Sequence, residues 1–228
     1  MTDFTGRNKI ATSVAEAIGP IPAGATVLVG GWGRIGIPTQ LIPHVAAHTQ
    51  RGITVVSNNC GVGIPGDIGE IFAAGVVAKA IATYPVHPSA TAFRERYDNG
   101  EIDLEIVPQG TLAERLRAAG AGIGGFFTPT GAGTELGGDR EIRVIEGREH
   151  VYESALPGDL AIIRAAQADS AGNLRFRRAS RAFSPLMAMA GRRTVVEVDE
   201  IVPLGSINPD DVHLPGIFVD ALVQGGTR

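Results

Sequence analysis

The sequence predicts an α/β fold, an open, mostly parallel sheet flanked by helices. Short runs of consecutive apolar residues alternate with segments whose apolar residues recur at helical spacing, and strands buried on both faces read as such unbroken runs. The first of these strands ends in Gly30-Gly-Trp-Gly-Arg-Ile-Gly36, four glycines within seven residues, before Pro38 opens a helical pattern. That turn lets a ligand approach the backbone, because glycine has no Cβ and accepts positive φ. The helix after it is expected to aim its free N–H groups at the same place, which favours anions.

Ile10, Val14 and Ile18 predict a first helix over 8–18. A strand follows over 26–29, then a helix over 38–49 and a second strand over 53–56. Residues 68–74 read as helix, 77–82 and 104–107 as strands. Thr111-Leu-Ala-Glu114 reads as a capping box opening a helix to Gly120. Residues 120–138 hold eight glycines and read as a loop lining a site. Residues 142–145 and 150–152 form a hairpin, and 160–165 a buried strand. Residues 169–173 form a turn before 174–176. A short helix over 185–190 and strands over 194–198 and 217–222 complete a single domain, 1–228.

Hydrophobic residues make up 44% and charged residues 19% of the 228, ordinary for a globular chain. The net charge of −4 without a basic block argues against nucleic acid and anionic membranes as partners. Cys60 is the one cysteine, so no internal disulfide can form, as expected in a reducing cytosol. Residues 1–7 carry no apolar signal core, and no run is long enough to span a bilayer. A cytoplasmic protein is expected.

Gly31, Gly33 and Gly36 spell G-x-G-x-x-G, but a dinucleotide site also needs an acidic residue about 20 positions on. No Asp or Glu lies between Ile37 and Gly66, so that reading is rejected. A tight turn holding no ligand stays open. His44 and His48 have the spacing of a zinc pair, but Val45 stands where a metalloprotease needs glutamate, and no metal is expected. Cys60 is a possible nucleophile with no His nearby in sequence to activate it. The run Arg175, Arg177, Arg178, Arg181 is either a solvated face or a contact for an anionic ligand or partner.

Asn58 and Gln109 stand at the ends of the second and fourth predicted strands. Ligands of open α/β sheets bind outside strand carboxyl ends. Both amides and the glycine loop are therefore expected to converge on one crevice, where amides suit a developing oxyanion. Each suits equally a turn residue bonding its own backbone.

Val29-Gly-Gly-Trp-Gly-Arg-Ile-Gly-Ile-Pro38, Val56-Ser-Asn-Asn-Cys-Gly61 and Val107-Pro-Gln-Gly-Thr-Leu-Ala-Glu-Arg-Leu-Arg117 carry a resemblance. So do Gly125-Phe-Phe-Thr-Pro-Thr-Gly131, Ala171-Gly-Asn-Leu174, Val196-Glu-Val-Asp-Glu-Ile-Val202 and Pro215-Gly-Ile-Phe-Val219. In this order, across nearly the whole chain, they are similar to the A subunit of the type I 3-oxoacid coenzyme A-transferases. The resemblance implies the coenzyme A-transferase fold, related to ribose-5-phosphate isomerase-like folds, and a B subunit in an assembly of two A and two B chains. It also implies ping-pong chemistry. A glutamate in the B subunit's Ser-Glu-Asn-Gly motif attacks the thioester of succinyl-CoA, carries CoA as a glutamyl thioester and passes it to a 3-oxo acid. This sequence has no such motif, so no catalytic nucleophile is expected in it. CoA is expected as substrate, with no permanently bound cofactor. The resemblance places Gly30, Gly31, Trp32, Gly33, Arg34, Ile35 and Gly36 at the CoA-binding loop, and Asn58 and Gln109 near the reacting carbonyl.

The sequence departs from the family pattern at Trp32, Arg34, Cys60, 62–70 and Tyr84-Pro-Val-His-Pro88. Arg34 suits a distal carboxylate on the acceptor, since guanidinium binds carboxylate in a fork. With the likeness of 97–131 and 183–219 to the 3-oxoadipate enzymes of aromatic degradation, 3-oxoadipate is the first-choice acceptor and acetoacetate the second. A sugar-phosphate isomerase on a related fold and a non-catalytic ligand-binding protein are the competing readings.

Overall fold

The computed structural model describes residues 8–226; the segment 1–7, read above for a signal core, lies outside the described residues. The chain runs α1 (Val14–Ile18), β1 (Thr26–Val29), α2 (Leu41–His48), β2 (Ile53–Asn59), α3 (Gly69–Ala73), β3 (Val77–Tyr84), α4 (Thr91–Asp98), β4 (Asp103–Ile106) and α5 (Gln109–Gly120). It continues through β5 (Gly125–Thr128), β6 (Ile142–Ile145), β7 (Arg148–Ser154), β8 (Gly158–Asp169), β9 (Leu174–Arg175), α6 (Ser184–Ala190), β10 (Gly191–Val202) and β11 (Ala221–Gln224).

The main sheet has the order β11-β10-β8-β1-β2-β3-β4. These strands are parallel, and β9 pairs antiparallel with the end of β8. Successive residues of β1 point to opposite faces. Val27 and Val29 join Leu41, Ile42 and Val45 of α2 and Phe72 of α3; Leu28 joins Leu112 and Leu116 of α5 and Met187 of α6. With both faces covered, β1 reads as an unbroken apolar run. Strands β1 to β4 extend the sheet one way, and β8, β10 and β11 the other. The reversal lies between β1 and β8, a point where ligands of such sheets commonly bind at the carboxyl ends.

A small antiparallel sheet, β5-β7-β6, stands apart. Arg115 of α5 ties it to the main layer, donating to the Ser154 carbonyl (2.9 Å) and to Glu105 (2.6 Å). Buried Glu153 of β7 lies 3.8 Å from Arg115 and pairs with Arg140.

Several elements differ from expectation. Helix α1 starts only after Ser13, whose Oγ accepts from the Glu16 N–H; Ile10 instead bridges to Leu222 beside β11. Helix α5 starts at Gln109 after Pro108, so Thr111 is buried inside its first turn and caps nothing. Strand β5 lies within the glycine-rich 120–138 segment. Helix α4 has no counterpart in the sequence reading, because Phe93 alone of its eight residues is buried and no apolar stripe marks it. Residues Gly216–Phe218 form a 3₁₀ turn, so the last strand begins at Ala221.

Candidate active site

The glycine loop leaves β1 at the reversal. The Gly30 N–H donates to the Ile162 carbonyl of β8 (2.9 Å), and the space a Cβ would need there is taken by Ser184 Oγ at 3.1 Å. Trp32 to Ile35 then fold into a two-residue hairpin: each N–H donates to the other's carbonyl, at 2.8 and 2.9 Å. Gly33, the first central residue, has φ 55°, as tight hairpins require. The Trp32 ring stacks on Phe183 at 6.2 Å and stays 41% exposed.

The helix expected to point at this loop does not serve it. Helix α2 begins only at Leu41, and the Gln40 N–H ahead of it donates to Glu197 Oε2 (2.8 Å). Glu197 reaches there from β10 and is 1% exposed; Arg164 Nη1 lies 3.5 Å away. Burial pushes this carboxyl above the usual glutamate range, against the pull of the Gln40 N–H and Arg164. The positive end of α2 is thus matched by an internal carboxylate.

A cavity of about 440 Å³ opens at the carboxyl ends of β2 and β3. Trp32 and Gly33 line it, with Asn58, Asn59, Val62, Thr83, Tyr84, His87 and Gln109. It therefore brings together the loop tip and both amides singled out in the sequence. Asn58 is buried; its Nδ2 donates to Thr83 Oγ1 (2.8 Å), which donates back to the Asn58 carbonyl (3.0 Å). One amide hydrogen of Asn58 lies outside that pair. Gln109 is exposed and opens α5, whose first intrahelical bond runs from the Leu112 N–H to the Pro108 carbonyl. It is α5, not α2, that starts at the crevice. Gly30 and Gly31 line a narrow recess beside it with Asn58 and Asp67.

No carboxylate among the described residues lines the crevice. Asp67, the nearest acid in sequence, is spent on its own loop: Oδ2 accepts from the N–H groups of Val62, Gly63 and Ile64, and Oδ1 from that of Gly69. Cys60 is buried, and burial pushes its thiol up to about 12. That closes the nucleophile reading, since the thiolate is the reactive form. Arg34, Ile35 and Gly36 line a neighbouring cleft of about 260 Å³. Arg34 Nη2 donates from there to the carbonyl of crevice-lining Val62 (3.3 Å). Among the lining residues, Val62 belongs to the run 62–70, and Tyr84 and His87 to the run 84–88, that depart from the family pattern; Thr83 carries no such signal in the sequence.

The His44 and His48 rings stack 4.1 Å apart, and no group of three or more His, Cys, Asp or Glu is placed to hold a metal among the described residues. No helix among these residues is long and apolar enough to cross a membrane.

Fold and crevice define an α/β protein with an open cavity at its sheet's carboxyl edge, and the chain belongs to the coenzyme A transferase family, whose pattern matches residues 11–225. It is 44% identical to the A subunit of a 3-oxoadipate CoA-transferase from Pseudomonas putida, over 95% of this chain and 93% of that one. It is 47% identical to the A subunit of a succinyl-CoA:3-ketoacid coenzyme A transferase from Xanthomonas campestris pv. campestris (strain B100), over 97% and 90%. The fold superposes with TM-score 0.82 on a crystal structure of the acyl-CoA transferase YdiF apoenzyme from Escherichia coli O157:H7, at 24% identity over 96% of this chain. The chain spans 47% of that structure's length. Family membership makes the chain part of an enzyme and sets aside the isomerase and passive-binder readings.

Proposed function

We propose that this chain is the A subunit of a 3-oxoacid CoA-transferase, and that its crevice forms half of the active centre. One observation carries this: the crevice gathers three amides, two hydroxyls and a helix start, but no attacking carboxylate among the described residues. Such a site can stabilise an oxyanion and cannot by itself form an acyl intermediate. The nucleophile then comes from a B subunit bearing Ser-Glu-Asn-Gly. In the first half-reaction its carboxylate attacks the succinyl-CoA carbonyl, and negative charge develops on the carbonyl oxygen. Gln109, the free amide hydrogen of Asn58 and the first N–H groups of α5 are the donors positioned for that charge. The loop tip, Trp32 and Gly33, packs against the CoA arm.

For the acceptor, 3-oxoadipate remains the first choice and acetoacetate the second. Identities of 44% to a relative named for 3-oxoadipate and 47% to one named for 3-ketoacids do not separate them. Arg34, bonded to the crevice wall at Val62, supplies the charge for a distal carboxylate. An assembly of two A and two B chains in the cytoplasm completes the reading, with residues 1–228 as one domain.

Co-expression with the B subunit should give succinyl-CoA-dependent transfer to both acids, faster with the dicarboxylate. Borohydride trapping of the thioester should label the B subunit. Turnover by this chain alone, or label on it, would overturn the proposal. An Arg34→Ala enzyme with unchanged preference for the dicarboxylate would remove Arg34 from it.

A further inference from the structure

The arginine run has no part in acyl transfer, yet it packs directly behind the glycine loop. The segment from β9 to α6 presses on Gly36 so closely that a Cβ there would lie 3.1 Å from Ser180 Cα. Between the two surfaces lies the cleft that holds Arg34, Arg164 and Arg177. Through Ala166, Arg177 and Asp199 it continues into a larger one of about 780 Å³, lined also by Arg175, Arg178 and His213.

The charges in this cleft are unevenly spent. Asp199 is held by Arg164 at 2.6 Å. Glu200 accepts from Gln167, whose Oε1 in turn accepts from Arg175. Asp211 also lines the cleft, but no carboxylate pairs with the guanidinium of Arg177 or Arg178 among the described residues. Arg178 itself sits at φ 51°, a conformation non-glycine residues adopt at a cost. His213 Nδ1 accepts from the Phe176 N–H (3.0 Å), so the neutral ring carries its proton on Nε2 and can donate.

The hairpin tip therefore has the amide crevice on one side and a cation-rich cleft on the other. One ligand that occupies both needs a thioester at one end, a long flexible arm and an anionic far end. Coenzyme A has that form. We propose that the cleft binds the phosphates of CoA, with Arg177 and Arg178 as their ligands, since guanidinium forks match phosphate oxygens. This rests on the crevice taking the thioester end.

The test uses the reconstituted two-subunit enzyme and two donors, succinyl-CoA and succinyl-pantetheine, which lacks the phosphates. The Arg177→Ala/Arg178→Ala enzyme should show a KM for succinyl-CoA raised about tenfold or more, with the KM for succinyl-pantetheine within about twofold of wild type. The Arg177→Lys/Arg178→Lys enzyme should recover part of the loss. Unchanged KM values, equal losses with both donors, or a folded variant that no longer binds the B subunit would each overturn the proposal; the last would show that the arginines face the partner. If the alanine variant does not fold, adenosine 3′,5′-bisphosphate must protect Arg177 and Arg178 of the wild-type enzyme from phenylglyoxal, and modification at an unchanged rate overturns it. A wild-type complex with no transferase activity would instead sink the functional assignment itself.

Discussion

Replacing Gln109 by alanine isolates the oxyanion role. The side chain is exposed and sits at the first position of α5, where alanine is at least as good a helix former. Stability should therefore move by no more than about 0.5 kcal/mol. Loss of one preorganised donor to a developing oxyanion typically costs about 2.7–4 kcal/mol, or roughly 10²–10³ in kcat. Because Asn58 and the α5 N–H groups remain, the lower end, about 10²-fold, is expected. The assay is steady-state transfer from succinyl-CoA by the reconstituted enzyme, with thermal melts of the variant alongside. KM should change little, since the bond strengthens in the transition state. Gln109→Glu sharpens the test. It suits the helix dipole, so the fold is kept, yet it sets a negative charge against the oxyanion and should be slower than alanine. An alanine enzyme within about twofold of wild-type kcat refutes the role.

Other expectations follow from the packing. Burial raises the Glu197 carboxyl, so its folded-state pKa exceeds its unfolded one. Its contribution to stability is then full below the ordinary glutamate value and declines as pH rises through the raised one. Melting temperatures of wild type minus Glu197→Gln should fall with pH across that window, and a flat difference would contradict the assignment. Arg115→Met strands buried Glu153 beside a single remaining partner and should cost about 3 kcal/mol in urea unfolding; a cost under about 1 kcal/mol would mean Arg140 suffices. Cys60 in the folded protein should resist iodoacetamide at pH 8 and react once unfolded, and Cys60→Ala should cost about 1 kcal/mol. Gly36→Ala combines φ 68° with a Cβ 3.0–3.2 Å from Ser180, and should cost about 1–3 kcal/mol, read by thermal or urea unfolding; a neutral result would show that the two segments do not pack this tightly.

The strands and the crevice were legible because their causes are local. A strand covered on both faces needs consecutive apolar residues, and parallel strands send their carboxyl ends to one edge. Asn58 and Gln109 could therefore be placed at that edge from strand ends alone. What was not legible came from distant partners. Nothing near α2 announces that Glu197, 157 residues away, takes its N-terminus. The contact of Ser180 with Gly36, which turns an arginine run into a cleft wall, is equally non-local. Within the loop, G-x-G-x-x-G suggests a strand-to-helix turn, but the Trp32–Ile35 hydrogen bonds make it a hairpin. The four backbone donors that hold Asp67 are likewise not visible in the sequence.

The loop's long-range ties also bear on when the site can exist. Gly30 is fixed by Ile162, Gly36 by Ser180 and the approach to α2 by Glu197, so the first strand's loop waits for residues made more than a hundred positions later. Closing contacts of such span is slow. On the ribosome, the amino-terminal half can form β1 to β4 and carries every residue that lines the crevice, but a nascent or truncated chain would lack the contacts that fix Gly30, Gly36 and the approach to α2. Order of synthesis thus postpones the fixing of this loop until the last third of the polypeptide has emerged.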